Sequence, residues 1–184
     1  MSVLLYGLSA ALALVMTNLD NLALMVALLA RLPARKVAGA YALALGIILI
    51  LALLVAEGAQ AFPRYVGYLG VVPILLGLRE LLRRHGEAPA TAERASTFVA
   101  LVLTFLSVST DSLSVLAPLL ADAAPGYRFA GLYGAVAAGS ALVLAGLGAS
   151  GLSARLGAML ERLAPFVMIA VGIYVLLNTA TDSV

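Results

Sequence analysis

The sequence predicts an all-α membrane protein: six transmembrane helices arranged as two three-helix repeats of inverted topology. Three observations predict it. The chain is 64% hydrophobic and 11% charged, far more apolar than a soluble domain, and its 184 residues leave no room for a second, soluble domain of any size. Six apolar stretches, marked off by charges and turn residues, are long enough to cross about 30 Å of hydrocarbon. The two halves of the chain also resemble each other. The expected organisation is one transmembrane domain, 1–184, with repeat one at 1–84, a cytoplasmic linker at 85–95 and repeat two at 96–184.

The first stretch, Val3–Ala30, has no Lys or Arg before Arg31. It lacks the positive start of a signal peptide and is expected to be a retained helix. The second, Val37–Ala56, carries small residues at four-residue spacing (Ala38, Ala42, Gly46), which are expected to let helices approach closely. The third, Tyr65–Leu82, contains Pro73, and the sixth, Leu163–Leu177, contains Pro165; both prolines are expected to bend their helices. The fourth, Thr97–Ala121, carries Pro118, a candidate kink. The fifth, Phe129–Ala149, repeats the small-residue spacing with Gly131, Ala135 and Gly139. The stretch from Arg83 to Arg94 is the most polar connection and is expected to be solvated.

Basic residues set the orientation. Arg31, Arg35, Lys36, Arg79, Arg83, Arg84, Arg94, Arg155 and Arg162 fall on one side of the expected membrane, and only Arg64 and Arg128 on the other. The positive-inside rule then places both termini outside the cytoplasm. Tyr6, Phe62, Tyr65, Tyr127, Phe129 and Tyr174 gather near the outer interface, as an aromatic belt would.

The duplication rests on three matches in order. Asn18-Leu-Asp-Asn-Leu22 aligns with Ser109-Thr-Asp-Ser-Leu113, an offset of 91. Val37-Ala-Gly-Ala-Tyr41 aligns with Phe129-Ala-Gly-Leu-Tyr133, an offset of 92. Leu76-Gly-Leu-Arg-Glu-Leu-Leu82 aligns with Val171-Gly-Ile-Tyr-Val-Leu-Leu177, an offset of 95. Each unit holds three spans, so the second enters the membrane from the opposite side. In inverted repeats of this kind the binding site lies near the midplane, between the units.

Two carboxylates occupy matching places there. Asp20 and Asp111 lie inside spans one and four, whereas the other acidic residues fall at segment ends or in connections. A carboxylate at bilayer depth costs about 2.5–3.5 kcal/mol on insertion scales and by default marks an ion or proton pathway. The positions polar in both repeats are the expected ligands: Asn18 with Ser109, Asp20 with Asp111, Asn21 with Ser112. Thr17, Met16, Thr104, Ser107, Thr110 and Ser114 are expected around the site or along its path. Thr104, Ser107, Asp111 and Ser114 share one face of a continuous helix and read equally well as the wall of a water-accessible path or as polar glue between helices. Asn and Ser compete for backbone hydrogen bonds, so either span is a candidate for unwinding here.

Two carboxylates with neutral oxygens suit a divalent cation, and protons can replace it when it leaves. The implied activity is proton-coupled antiport, with the metal ion as substrate rather than cofactor. Oxygen ligands favour hard ions such as Mn²⁺, Mg²⁺ or Ca²⁺; the Met16 thioether reads first as packing against a neighbouring helix, and as a ligand it would tilt the site toward Cd²⁺ or Zn²⁺. With no cysteine and the single histidine His85, haem, iron–sulfur and thiolate sites are not expected. Tyr41 and Tyr133 are a matched pair suited to gating or to packing. An intramembrane aspartyl protease also uses two membrane Asp residues, but its Gly-x-Gly-Asp and Pro-Ala-Leu motifs are absent, so no enzyme activity is expected.

Thr17-Asn-Leu-Asp20-Asn-Leu, Tyr68-Leu-Gly-Val-Val-Pro-Ile-Leu-Leu-Gly77 and Asp111-Ser-Leu-Ser-Val-Leu-Ala-Pro-Leu-Leu-Ala121 resemble the CadD-type cadmium-resistance transporters of the lysine-exporter (LysE) superfamily. The first motif also resembles the TerC family of the same superfamily. The resemblance implies efflux of a divalent metal (Cd²⁺, Mn²⁺ or similar) by a six-helix, multi-pass protein of a bacterial inner membrane. Its partners would be the metal ion, protons and the lipid bilayer, with no nucleic acid; a homodimer stays open. Carried over, the acidic motifs map to Asp20 with Asn21 and to Asp111. The chain departs from the family where Ser109-Thr110-Asp111-Ser112 stands in place of Gly-Gly-Asp-Asn, which bears on ion selectivity. Export of a small organic cation or amino acid is the alternative, set against by the lack of a basic residue at membrane depth.

Overall fold

The computed structural model describes residues 2–82, 97–148 and 154–181, and every regular element among them is a helix. The linker expected at 85–95, His85 included, lies outside the described residues. The first apolar stretch holds two helices, α1 (Val3–Thr17) and α2 (Leu19–Leu29); the second holds α3 (Ala34–Ala59). A 3-10 helix (Pro63–Gly70) leads into α4 (Val71–Leu82) in the third. The fourth is again divided, into α5 (Phe98–Val108) and α6 (Thr110–Asp122); α7 (Pro125–Leu147) and α8 (Ala154–Thr181) follow.

Two of these helices, α3 and α7, are long and apolar enough to cross a membrane alone. Two bent pairs reach that length together: α1 with α2, turning 52°, and α5 with α6, turning 59°. The third and sixth stretches hold shorter apolar runs, Tyr68–Arg79 and Pro165–Leu177.

Local chemistry sets the helix starts. Ser2 caps α1 by accepting from the Leu5 amide at 3.3 Å, and Thr97 caps α5 by accepting from the Ala100 amide at 3.2 Å. Pro125 opens α7 and Pro73 lies in the first turn of α4, where a missing N–H leaves no bond unmade. Pro118 sits inside α6, and the large bend of that stretch falls earlier, at Ser109.

Apolar association alone does not hold helices together in lipid, so close packing and polar contacts must. Helix α1 lies along α7, α4 lies along α8, and α3 is central, meeting α2, α5, α6 and α7. Some pairings recur between the halves, since α1 packs on α7 as α5 packs on α3 and α2 meets α7 as α6 meets α3; the packing of α8 on α1 and α6 has no counterpart of like extent on α4. Gly70 and Gly172 set the approach of the 3-10 segment to α8, since a Cβ on either would run into the other's carbonyl oxygen. The stripe Gly131, Ala135 and Gly139 is buried, its glycines against Tyr6, Leu120, Leu45 and Leu14. Its counterpart in α3 is buried only at Ala38. Ala42 is exposed, and a Cβ on Gly46 would meet nothing within 4 Å. The α3 face turned inward carries Tyr41, Ala44, Leu45 and Ile48 instead.

One end of the bundle is locked by side chains. The last carbonyls of a helix lack intrahelical partners. Those of α6 are taken by Tyr6, whose hydroxyl donates to Leu119 O, by Gln60 to Ala121 O at 3.0 Å, and by Arg128 to Leu120 O at 3.0 Å and Ala123 O at 3.1 Å. The same guanidinium donates to Glu57 at 2.6 Å. A cation at a helix C-terminus also opposes the negative end of the macrodipole. Tyr6 is therefore buried rather than part of an aromatic belt, whereas Phe62, Tyr65 and Phe129 are exposed.

Candidate functional site

Both divided stretches break at a residue whose side chain bonds back along its own helix. The Asn18 side chain donates back to Leu14 O at 3.0 Å, and the Ser109 hydroxyl donates back to Phe105 O at 2.7 Å. Each bond reaches the carbonyl four residues earlier; Ser9, Thr104, Ser114 and Ser140 make the same bond inside unbroken helices, so it accompanies the two breaks and is not by itself their cause. The residues match at the offset of 91 read from the sequence. Asn18 takes φ −115°, ψ 13° and Ser109 takes φ −83°, ψ 7°. One residue leaves helical geometry at each break and the helix resumes directly, so neither stretch is unwound over any length.

The two breaks meet. Asn18 Nδ2 donates to Ser112 Oγ at 2.6 Å, and Asn21 Nδ2 donates to Ser109 Oγ at 2.9 Å. Asn21 Nδ2 also donates to Asn18 Oδ1 at 3.0 Å, and Ser112 Oγ to Thr17 O at 3.3 Å. All four side chains are fully buried, so each bond forms without competition from solvent. The residues paired in the sequence alignment bond crosswise: Asn18 with the partner of Asn21, and Asn21 with the partner of Asn18. The crossing is centred on the same point of each motif, beside Asp20 and Asp111.

The carboxylates themselves are less buried than this cluster. Asp20 is exposed and Asp111 half-buried, each in the first turn of the helix that follows its break. Within α2, Asp20 lies about 100° of helical rotation from the fully buried Asn21 and is exposed, so the face that joins the two halves is not the face that carries the acid. A carboxylate in a first turn complements the positive end of the helix dipole. Among the described residues no three His, Cys, Asp or Glu side chains converge.

The other expected residues divide. Thr17 and Met16 are buried next to the crossing. Thr104 is buried on α5 and donates to Ala100 O at 2.8 Å; Ser107 donates to Thr104 O at 2.7 Å. Thr110 donates to Ser107 O at 3.2 Å, and Ser114 to Thr110 O at 2.9 Å. The bend at Ser109 splits the Thr104–Ser107–Asp111–Ser114 stripe between two helices, so it does not form one continuous face. Met25, fully buried, fills the space over Gly146 of α7. The matched tyrosines differ: Tyr41 is fully buried with its ring 5.0 Å from that of Phe105, and Tyr133 is exposed.

No protein-family model matches this chain, nor does any curated protein or solved structure. What the site can do therefore follows from its own chemistry. It offers amide and hydroxyl oxygens at the meeting of two broken helices, with one carboxylate on each helix that leaves the junction. Arg128, which the charge pattern marks only as an outer residue, is the side chain that sequence reasoning missed. Its place six residues after the end of α6 and three after Pro125 was the available signal.

Proposed function

We propose that this chain is a secondary transporter that exports a divalent metal cation, exchanging it for protons, across a bacterial inner membrane. In this reading six spans form two inverted three-helix repeats, with both termini outside the cytoplasm. Broken helices that meet at a pseudo-two-fold axis are how such transporters build a site within the membrane. The observation that carries the proposal is the matched pair of breaks at Asn18 and Ser109, each followed in the next helical turn by an aspartate. Two breaks at matched positions, joined crosswise, support descent from a duplication. The pair of carboxylates supplies the two negative charges that a divalent ion needs, and supplies proton acceptors once that ion has left. Neutral oxygens of the crossing hold the two halves in register while Asp20 and Asp111 face the path.

The test is uptake into inverted membrane vesicles across a panel of divalent ions, with and without a pH gradient. Asp20→Asn and Asp111→Asn are expected to abolish transport while leaving a folded protein in the membrane. A double Asn variant with full activity ends the proposal. Transport that ignores the pH gradient removes the proton exchange and keeps the export.

A further inference from the structure

The broken helices pack differently on the two sides of the crossing. Alignment of the halves makes α1 the counterpart of α5, and α2 the counterpart of α6. The seam between α1 and α6 therefore has a matching seam between α2 and α5. The first seam is filled. Ala13 of α1 and Val115 of α6 are buried in one cluster with Met168 of α8. Farther from the crossing, Tyr6 and Ala10 of α1 are buried in one cluster with Leu119 of α6 and with Ala123. Two apolar layers thus lie between the crossing and the end of the bundle where α1 starts and α6 stops. The second seam is sparse: α2 meets α5 far less than α1 meets α6, and α4 does not cover it as α8 covers the first. On α2, Asp20, Ala23, Ala27 and Ala30 are exposed along one helical stripe.

The filled seam ends in a latch. The bonds from Arg128 to Leu120 O and Ala123 O span only the turn from α6 to α7, so they can persist while that turn moves as a unit. Among the described residues, three further bonds tie separate elements to it: the Tyr6 hydroxyl to Leu119 O, Gln60 to Ala121 O, and Arg128 to Glu57. They fasten the start of α1 and the end of α3 to the end of α6. The Glu57 side chain is exposed, so its ion pair shifts a balance between two states by no more than about fivefold. A contact of that strength holds one arrangement without forbidding another.

We propose that the α1–α6 seam is a gate, closed in this structure and latched by Glu57 and Arg128, and that the Asp20 stripe of α2 lines the open side. Water then reaches the junction from the α2–α5 side alone. Transporters built from inverted repeats expose a fixed site to one side at a time by moving one unit against the other. The two seams, matched in sequence and unlike in packing, are the places where such a movement would open and close this chain. That the seam gates a substrate rests on the transport reading; the one-sided access of water does not.

The experiment measures how fast a water-soluble maleimide alkylates a single cysteine of the full chain, in open membrane fragments with both faces exposed to the reagent. The chain has no cysteine of its own, so each probe is unique. Ala27→Cys reports on the α2 stripe and Ala13→Cys on the filled seam. Without a second change, Ala27→Cys is expected to react and Ala13→Cys to be protected. Glu57→Lys, which sets a second cation beside Arg128, is expected to speed Ala13→Cys by about two- to fivefold and not to speed Ala27→Cys. An inert Ala27→Cys means that the stripe faces lipid and overturns the proposal. Equal rates at the two probes, or no change with Glu57→Lys, also overturn it. So does a rise at both probes, which is what a loosened fold gives. Should Ala13→Cys not fold, Ala10→Cys carries the same comparison. The labelling involves no transported ion: a wild type that moves no divalent cation into vesicles ends the transport reading and leaves this result standing.

Discussion

Replacing Asn18 by Ala tests whether the crossing holds the two halves together. Asn18 is fully buried and makes three side-chain bonds: to Leu14 O at 3.0 Å, to Ser112 Oγ at 2.6 Å and from Asn21 Nδ2 at 3.0 Å. The partners do not become orphans. Leu14 O keeps a longer bond from Thr17 Oγ1 at 3.3 Å, and Ser112 keeps Thr17 O. The loss therefore stays at the scale of bonds removed, not of bare buried groups. Side-chain hydrogen bonds within membranes are worth about 0.6 kcal/mol on average and about 1.7 at most, so three sum to about 2–5 kcal/mol. Thr110→Ala is the control: it lies in the same motif, is exposed, and bonds only within its own turn. Its cost should be within about 0.5 kcal/mol. Reversible unfolding in mixed micelles, followed by circular dichroism, gives both numbers. A double-mutant cycle with Ser112→Ala should return a coupling of about 1–2 kcal/mol for the shortest bond. Equal losses for Asn18→Ala and Thr110→Ala, or a coupling near zero, would refute the reasoning.

Other consequences follow from packing and capping. Gly172→Ala drives a Cβ into the Gly70 carbonyl oxygen and should cost more than about 3 kcal/mol or prevent folding, whereas Gly46→Ala meets nothing and should be neutral or gain about 0.5–1 kcal/mol; thermal unfolding of the two variants in detergent compares them. Arg128→Met leaves Leu120 O and Ala123 O without their guanidinium donor and should cost about 2–4 kcal/mol by micelle unfolding. Glu57→Gln should cost under about 1 kcal/mol in the same assay, because the Glu57 side chain is 58% exposed and its ion pair is screened. A Glu57 variant as damaging as the Arg128 variant would mean that the ion pair, not the carbonyl capping, holds that end of the bundle.

Much of the architecture was legible in the residues alone. Hydropathy located six apolar stretches, and each holds helix in the structure, because runs of that composition can satisfy their backbone only internally in an apolar medium. The competition of Asn and Ser for backbone carbonyls marked the two motifs as weak points, and the helices do break there. Polar residues of that kind inside an apolar stretch are visible in the linear pattern, although Ser9 and Ser140 make the same backward bond without a break.

Three features were decided by tertiary structure. A string of residues cannot tell which side of a helix meets its partner; packing of the two halves turned the Asn18 and Asn21 amides inward, into crosswise bonds with Ser112 and Ser109, and left Asp20 exposed. The α3 stripe of Ala42 and Gly46 has the spacing of a packing face yet lies away from other helices, because small residues permit close approach without compelling it. Arg128 had the sequence signature of a topology charge, but chain reversal after α6 brought it within reach of carbonyls that have no helical donor. Composition fixes where helices form. Which faces become interior depends on long-range packing among all the helices at once.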